Sequence, residues 1–192
     1  ILENIDLSKL NHNSENYLRI LIYAMDYAYR DRAKYLGDPA FFDVPQNFLT
    51  SKKYAGEIFQ KIIKSKPPSK VDLNIFEGEE TTHFSIVDKW GNVVSNTYTL
   101  NTAYGSGIIP PGTGILMNNE MDDFSSKPGH PNAYGLVGSE ANKIESKKTP
   151  LSSMSPTIIF KDHKPYLVTG SPGGSTIITT VLQEILNVLD FQ

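Results

Sequence analysis

The spacing of hydrophobic residues changes at Thr81, and this change constrains the fold more than any other feature of the sequence. Upstream, apolar side chains recur every three or four positions, as in Leu18, Leu21 and Met25, which predicts amphipathic helices. From Thr81 to Asp88 apolar and polar residues alternate instead, which predicts a β-strand. Helices, then strands, then a final helical run predict an α+β fold with a largely antiparallel sheet.

Capping and turn residues divide the chain into predicted elements. Ser14 is suited to cap the first helix, and Pro67 and Pro68 predict a linker near residues 65–80. The predicted elements are helices after Ser14 and after Thr50, hairpins at 81–100 and 157–169, and a final helix at about 175–189. The predicted buried face of that final helix consists of Ile178, Val181, Leu182, Ile185 and Leu189.

Composition excludes several classes of protein. The 192 residues carry 18 basic and 21 acidic side chains, a net charge of −3, so no electrostatic argument favours nucleic acid as a partner. The absence of cysteine excludes disulfides, thiolate metal sites and cysteine nucleophiles. No apolar run approaches the ~20 residues needed to span a bilayer. Because the chain opens at Ile1, without an initiator Met or a signal peptide, we expect a fragment or a processed product.

Thr81 offers a chemical possibility besides its place at the start of a strand. Thr81-Thr82-His83 is adequately explained as three residues that open a β-strand. Cleavage of the chain before Thr81 would instead leave a threonine whose own α-amino group could act as the base for its hydroxyl. Such an amine has a pKa of about 7.7–8.0 and is substantially neutral near physiological pH.

Two polar clusters further along the chain could each bind a charged group of a ligand. Residues 118–124 contain three carboxylates, from Glu120, Asp122 and Asp123, which could hold an ammonium group or form a solvated loop. A metal site ranks lowest, because the spacing lacks the ligand pattern of a calcium loop. Ser152 and Ser153 could donate hydrogen bonds to a carboxylate, or simply form a serine-rich turn.

Gly173 and Gly174 directly precede the final predicted helix. Adjacent glycines allow close approach of a ligand to the backbone, and a helix N-terminus offers unpaired amides to an oxyanion or a phosphate. The segment lacks the full P-loop pattern, so the glycine pair alone is weak support. The four histidines show no zinc-binding spacing, so a zinc site is unsupported.

Taken together and in order, these segments resemble the γ-glutamyltranspeptidases. The resemblance is carried by TTHFSIVDKWGNVVSNTYTLNTAYGSG, GILMNNEMDDFSSKPGHPNAYGLVG, PLSSMSPTIIF and VTGSPGGSTIITTVLQ, with AYRDRAKYLGDPAFFDVP upstream. It implies a four-layer αββα N-terminal-nucleophile hydrolase fold, incomplete in this fragment, made as a precursor that cleaves itself at Glu80–Thr81. Residues 1–80 would then be the C-terminal part of the large subunit, and residues 81–192 the N-terminal part of the small catalytic subunit.

The resemblance also implies a role for each candidate residue. Thr81 would be the nucleophile, Thr99 would orient its amino group, and the amides of Gly173 and Gly174 would form the oxyanion hole. The groups that bind the substrate's α-amino group and its α-carboxylate would be Asn101, Glu120 and Asp123 for the first, and Ser152 and Ser153 for the second. The family's small subunit continues past Gln192. Its substrate-binding arginine lies upstream, so none of Arg19, Arg30 and Arg32 matches that arginine's motif.

The implied activity is transfer of the γ-glutamyl group of glutathione to water or to an acceptor amino acid or peptide. A related activity on poly-γ-glutamate or on acylated β-lactams stays open, as does a non-catalytic binding or structural role if the Glu80–Thr81 bond remains intact. The family also suggests a periplasmic or extracellular location.

Overall fold

The computed structural model describes residues 1–66, 80–132 and 135–191. Most of the predicted linker at 65–80, including Pro67 and Pro68, lies outside the described residues. The helices and strands are α1 (Glu15–Tyr35), α2 (Gln46–Leu49), α3 (Lys52–Lys64), β1 (Thr81–Val87), β2 (Val93–Thr99), β3 (Thr157–Lys161), β4 (Lys164–Thr169) and α4 (Ile177–Asp190). This mixed architecture confirms the α+β prediction. The one-turn helix α2 has no counterpart in the sequence prediction, because four residues are too few to show a period.

Serine side chains set the beginnings of the two upstream helices. The Ser14 hydroxyl accepts a hydrogen bond from the backbone N–H of Tyr17 at 3.3 Å, and Ser51 does the same for Tyr54 at 3.2 Å. Both bonds satisfy amides that have no partner inside the helix. The capping role predicted for Ser14 is confirmed.

Helix α1 lies between α3 and α4 and supplies side chains to two hydrophobic clusters. Its Ile20 and Ala24 pack with α3 residues, among them the fully buried Ile62. Tyr17 and Leu21 pack with Leu186 of α4 and with Leu7. Both clusters exclude water from apolar surface, which is the main stabilising contribution to this part of the fold.

The predicted buried face of α4 is only partly correct. Val181 is buried as predicted, but Ile177 and Leu186 are the other buried residues, and Leu189 is 51% exposed. Ile178, Leu182 and Ile185 are half-buried. The apolar residues of α4 form a broad stripe that includes both Ile177 and Leu189, so the period alone does not fix which of them are most buried. The contact of Leu186 with α1 residues decides this.

Two antiparallel hairpins form the β part of the fold. Strands β1 and β2 pair from Thr81 opposite Thr99 to Val87 opposite Val93, and β3 pairs with β4 across a register shift. The two hairpins lie against each other, because the hydroxyl groups of two serines on the first donate to carbonyl groups on β4. These bonds run from Ser85 to Val168 at 3.2 Å and from Ser95 to Thr169 at 2.8 Å.

The loop after α1 meets the irregular segment 100–156 at Gly37. A Cβ atom added at Gly37 would lie 2.0 Å from the carbonyl oxygen of Ala141, and Ala141 is fully buried. Because the obstacle is backbone, it cannot move aside as a flexible side chain would. Only glycine fits at this contact.

We expect Gly37→Ala to destabilise the complete translation product by about 1–3 kcal/mol, the usual cost of overpacking. Gly56→Ala is the matched control, because its Cβ would meet only the Asn4 side chain at 3.6 Å and alanine is favoured within a helix by about 0.5–1 kcal/mol. Urea denaturation of both variants should therefore give changes of opposite sign. Equal stability of Gly37→Ala and the wild type would contradict the close packing.

Candidate active site

The predicted site residues converge on one cavity between the strand ends and three loops. Seven of the nine line it, and the full lining is Thr81, Thr99, Asn101, Asp123, Leu136, Ser152, Ser153, Met154, Gly174, Ser175 and Ile177. Of the other two, Glu120 lies in the same one-turn helix as Asp123, and Gly173 directly precedes Gly174. The structure therefore brings together residues that are up to 93 positions apart in the chain.

Thr81 and Thr99 face each other because β1 begins where β2 ends. The two residues are direct partners in the hairpin register. The Thr99 hydroxyl donates to the carbonyl oxygen of Glu80 at 2.9 Å and accepts from the backbone N–H of Asn101 at 2.9 Å. Since the Asn101 amide occupies one lone pair, the hydroxyl proton is directed at the carbonyl of the Glu80–Thr81 peptide bond.

Asn101 holds the chain in a conformation that few residues adopt. Its φ is +77°, in the left-handed region where asparagine is one of the better-tolerated non-glycine residues. Its side chain is 3% exposed and donates to the carbonyl of Asn119 at 3.2 Å. This bond ties the end of β2 to the acidic segment that contains Glu120 and Asp123.

Glu120 and Asp123 form a carboxyl pair in a partly desolvated environment. Burial, together with the neighbouring Asp123, raises the pKa of Glu120 to about 7. Burial also raises the pKa of Asp123, although a hydrogen bond from Glu120 and the charge of Arg32 act in the opposite direction. One carboxyl oxygen of Glu120, Oε1, is buried and has no hydrogen-bond partner among the described residues. A cation with N–H donors at this place would relieve both the repulsion and the missing hydrogen bond.

The serine pair has a partner that the sequence analysis did not assign. Ser152 accepts from the backbone N–H of Met154 at 3.1 Å. Ser153 accepts from the guanidinium of Arg32, at 2.9 Å between Nη2 and Oγ. Arg32 lies on α1 among the charged residues Arg30, Asp31 and Lys34. Such a group is typical of the solvent-exposed side of a helix, so no local pattern marks Arg32 as a site residue.

Asn142 is a second residue that the sequence analysis missed. It is 6% exposed, its Nδ2 donates to the carbonyl of Asp123 at 2.7 Å, and its Oδ1 accepts from the backbone N–H of Leu151 at 3.0 Å. The Asn142 side chain thus fixes the backbone at Asp123 relative to the backbone at Leu151, which directly precedes the serine pair. A lone asparagine in a polar loop gives no sequence signal for this role.

Gly173 and Gly174 adopt backbone conformations that favour glycine, with φ values of +124° and +53°. A Cβ at Gly173 would lie 2.8 Å from the Thr176 hydroxyl oxygen. Among the backbone hydrogen bonds of the described residues, the N–H group of neither glycine acts as a donor. The Tyr29 hydroxyl of α1 donates to the carbonyl of Ser175, so the turn before α4 is also anchored to α1.

Two further observations concern metal ions and membranes. Within residues 1–66, 80–132 and 135–191, no three His, Asp or Glu side chains cluster closely enough to hold a metal ion. No helix in the same ranges has the length and apolarity needed to cross a membrane.

Comparison with known proteins identifies close relatives. The family model described as Gamma-glutamyltranspeptidase matches residues 1–192. The chain is 55% identical over 196 residues to the glutathione hydrolase proenzyme of Escherichia coli K12 and 48% identical over 195 residues to that of Pseudomonas sp. A14. It is covered completely by both matches and spans 34% of the length of each relative. A more distant relative is the acylase ACY 1 proenzyme of Pseudomonas sp. V22, 35% identical over 191 residues, with 99% of this chain and 32% of that protein covered.

Solved structures agree with these matches. A threonine-to-alanine mutant of Helicobacter pylori γ-glutamyltranspeptidase superposes with a TM-score of 0.56 and 65% identity, over 57% of this chain and 59% of that one. The Pseudomonas nitroreducens γ-glutamyltranspeptidase complexed with L-DON superposes with a TM-score of 0.56 and 62% sequence identity, over 57% of each chain. The predicted fold class and the resemblance stated from the motifs are both confirmed. The chain therefore belongs to the γ-glutamyltranspeptidase family.

Proposed function

We propose that the complete protein cleaves the γ-glutamyl amide bond of glutathione and related compounds and passes the γ-glutamyl group to water or an acceptor amine. The observation that carries this proposal is the cavity in which Thr81 lies beside Asp123, one member of the carboxyl pair, and beside both serines. The relatives named glutathione hydrolase proenzyme, at 55% and 48% identity, support it.

The first step in this proposal is self-cleavage of the precursor. The Thr81 hydroxyl oxygen attacks the Glu80 carbonyl carbon, the Glu80–Thr81 C–N bond breaks, and the Thr81 nitrogen takes up a proton to become a free amine. Water then hydrolyses the resulting ester, releasing the Glu80 carboxylate and restoring the hydroxyl. The bond from Thr99 to the Glu80 carbonyl supports this step, because it stabilises the negative charge that develops on that oxygen. The products would be two subunits that meet at residues 80 and 81.

The second step uses the new terminus. The free amine of Thr81 accepts the proton of its own hydroxyl, and the oxygen attacks the γ-carbonyl of the substrate. The unengaged amides of Gly173 and Gly174 would stabilise the oxyanion, a contribution of about 3–4 kcal/mol per donor in comparable sites. The leaving amine takes the proton, and the γ-glutamyl ester on Thr81 is released by water or an acceptor amine. No step needs a metal or an organic cofactor.

The charges around the cavity match the α-carbon end of a γ-glutamyl group. The α-ammonium would bind Glu120, Asp123 and Asn101, where it meets the buried carboxyl oxygen without a partner. The α-carboxylate would accept hydrogen bonds from the hydroxyls of Ser152 and Ser153. These two contacts fix the substrate so that its γ-carbonyl lies near Thr81, which lowers the entropic cost of reaching the transition state.

A second candidate function is hydrolysis of an acyl amide such as that of an acylated β-lactam, favoured by the 35% identity to an acylase proenzyme. A simple acyl group has no ammonium to offset the burial of Glu120 and Asp123, so the carboxyl pair favours a γ-glutamyl substrate. Poly-γ-glutamate fits the same site only through an end that carries a free ammonium.

A non-catalytic role requires an intact Glu80–Thr81 bond. A periplasmic or extracellular location is part of the proposal and follows from the family resemblance.

Thr81→Ala in the complete translation product should abolish both self-cleavage and hydrolysis of a γ-glutamyl anilide, because one hydroxyl is the nucleophile in both steps. We expect hydrolysis to fall by at least about 10³-fold. Thr81→Ser, which keeps a hydroxyl, is the matched control and should retain both reactions. Gel analysis, intact mass and anilide release provide the measurements. Two normal subunits in Thr81→Ala would show that this residue does not cleave the chain.

Asp123→Ala should weaken the processing of substrates that have a free α-amino group. Their ammonium would lose its charged partner in a partly buried site, at a cost of about 2–5 kcal/mol. N-acylated substrates, which lack the ammonium, should lose much less, and the ratio of kcat/KM for the two substrate types is the measurement. An equal loss on both would indicate a folding defect and would contradict the assigned contact.

Binding of L-glutamate near pH 7 should release protons. Because the pKa of Glu120 is raised to about 7, the pair is partly protonated before binding, and a bound ammonium lowers that pKa. Titration calorimetry in Tris and in phosphate should therefore give different apparent enthalpies, and affinity should increase as the pH rises from 6 to 8. Glu120→Gln should reduce the difference between buffers. Identical enthalpies for the wild type in both buffers would contradict the raised pKa.

A further inference from the structure

We propose that Arg32 is a positioning residue that couples the carboxylate-binding serines to the ammonium-binding carboxyl pair. The inference rests on the proposed function, since it concerns the same substrate. Arg32 does not match the motif of the family's upstream arginine, which pairs with the substrate carboxylate. In this structure Arg32 contacts the protein's own Ser153 instead. It acts on the site through Ser153 and through the charge of Asp123.

The hydrogen bond to Ser153 determines which way that hydroxyl can point its proton. Arginine has only donors, so Ser153 must be the acceptor in its bond with Arg32 at 2.9 Å. With one lone pair engaged by the guanidinium, the Ser153 proton is free to donate to an anion in the cavity. The guanidinium thus favours the hydroxyl orientation that a bound α-carboxylate needs.

The guanidinium also acts on the acidic side of the site. Arg32 is half-buried and forms no salt bridge within 4.0 Å among the described residues. Burial raises the pKa of Asp123 and lowers the pKa of Arg32, but the charge of each group acts on the other in the opposite direction. Arg32 and Asn142 also line a neighbouring cavity, which shares Asp123 with the site cavity. Arg32 therefore favours the ionised carboxylate that an ammonium requires.

The neighbouring charged residues of α1 are engaged elsewhere. Asp31 accepts from the Tyr54 hydroxyl of α3 at 3.0 and 3.1 Å. Arg30 pairs with Asp26 at 2.9 Å, and its side chain is 71% exposed. Arg32 is thus the basic residue of this turn that contacts a site residue, Ser153, and Arg30 is a natural control.

The test compares Arg32→Met, Arg32→Lys and Arg30→Met in the complete translation product. Arg32→Met should raise the KM for a γ-glutamyl anilide by about tenfold or more, with a smaller change in kcat. Its self-cleavage rate should stay within about twofold of the wild type, because self-cleavage binds neither an α-carboxylate nor an α-ammonium. Arg32→Lys, which keeps the positive charge and a hydrogen-bond donor, should raise the KM less than Arg32→Met does. Arg30→Met should match the wild type in every measurement.

Three results would overturn the proposal: an unchanged KM, a fall in kcat alone, or a parallel loss of self-cleavage and turnover, which a purely structural role would produce. If Arg32→Met does not fold, Arg32→Lys combined with Ser153→Ala supplies the test. The two effects on KM should then be non-additive, because Arg32 acts through Ser153, and additive effects would contradict the coupling. Failure of the proposed function is distinguishable, since the wild type itself would then release no anilide.

Discussion

The packing of α1 against both α3 and α4 is the constraint on which the rest of the described structure depends. Segment 100–156 has little regular secondary structure, so its loops need fixed points elsewhere. Helix α1 supplies them through the bond from Arg32 to Ser153 and through its Lys34 carbonyl, which accepts from Ser139 at 2.9 Å. It also anchors the turn before α4, because the Tyr29 hydroxyl donates to the carbonyl of Ser175. A buried helix is a rigid support for such loops, because moving it would expose both hydrophobic clusters to water.

The site combines groups whose burial is unfavourable in the absence of a ligand. Two carboxyl groups share one short turn, and a guanidinium lies nearby without a carboxylate in contact. Each of these groups would be more stable in water. The hydrophobic clusters offset this cost, and the result is a cavity in which a zwitterion finds partners already oriented for it.

Secondary structure could largely be predicted from the sequence, because helical and strand periods are local, whereas the roles of the candidate residues came from the family resemblance. Ser14 and the hairpin at 81–100 illustrate this, since every residue that determines them lies within a few positions or one turn. The roles of Arg32 and Asn142 could not be predicted, because their partners are set by tertiary packing, 121 positions away for Arg32 and Ser153. The exact buried residues of α4 escaped prediction for the same reason, because a broad apolar stripe does not show which of its residues the neighbouring helix covers.

The location of the Glu80–Thr81 bond at the very start of β1 has a consequence for the lifetime of the protein. A cut there leaves every strand pairing in place, because the register begins at Thr81, while α1 and α4 come to belong to separate chains held together by Tyr17, Leu21 and Leu186. Folding of the uncut chain is unimolecular, but reassembly after a cut is bimolecular and obeys mass action. A cleaved protein that unfolds in dilute surroundings would therefore rarely find its partner again. Its persistence would be governed by the height of its unfolding barrier rather than by an equilibrium.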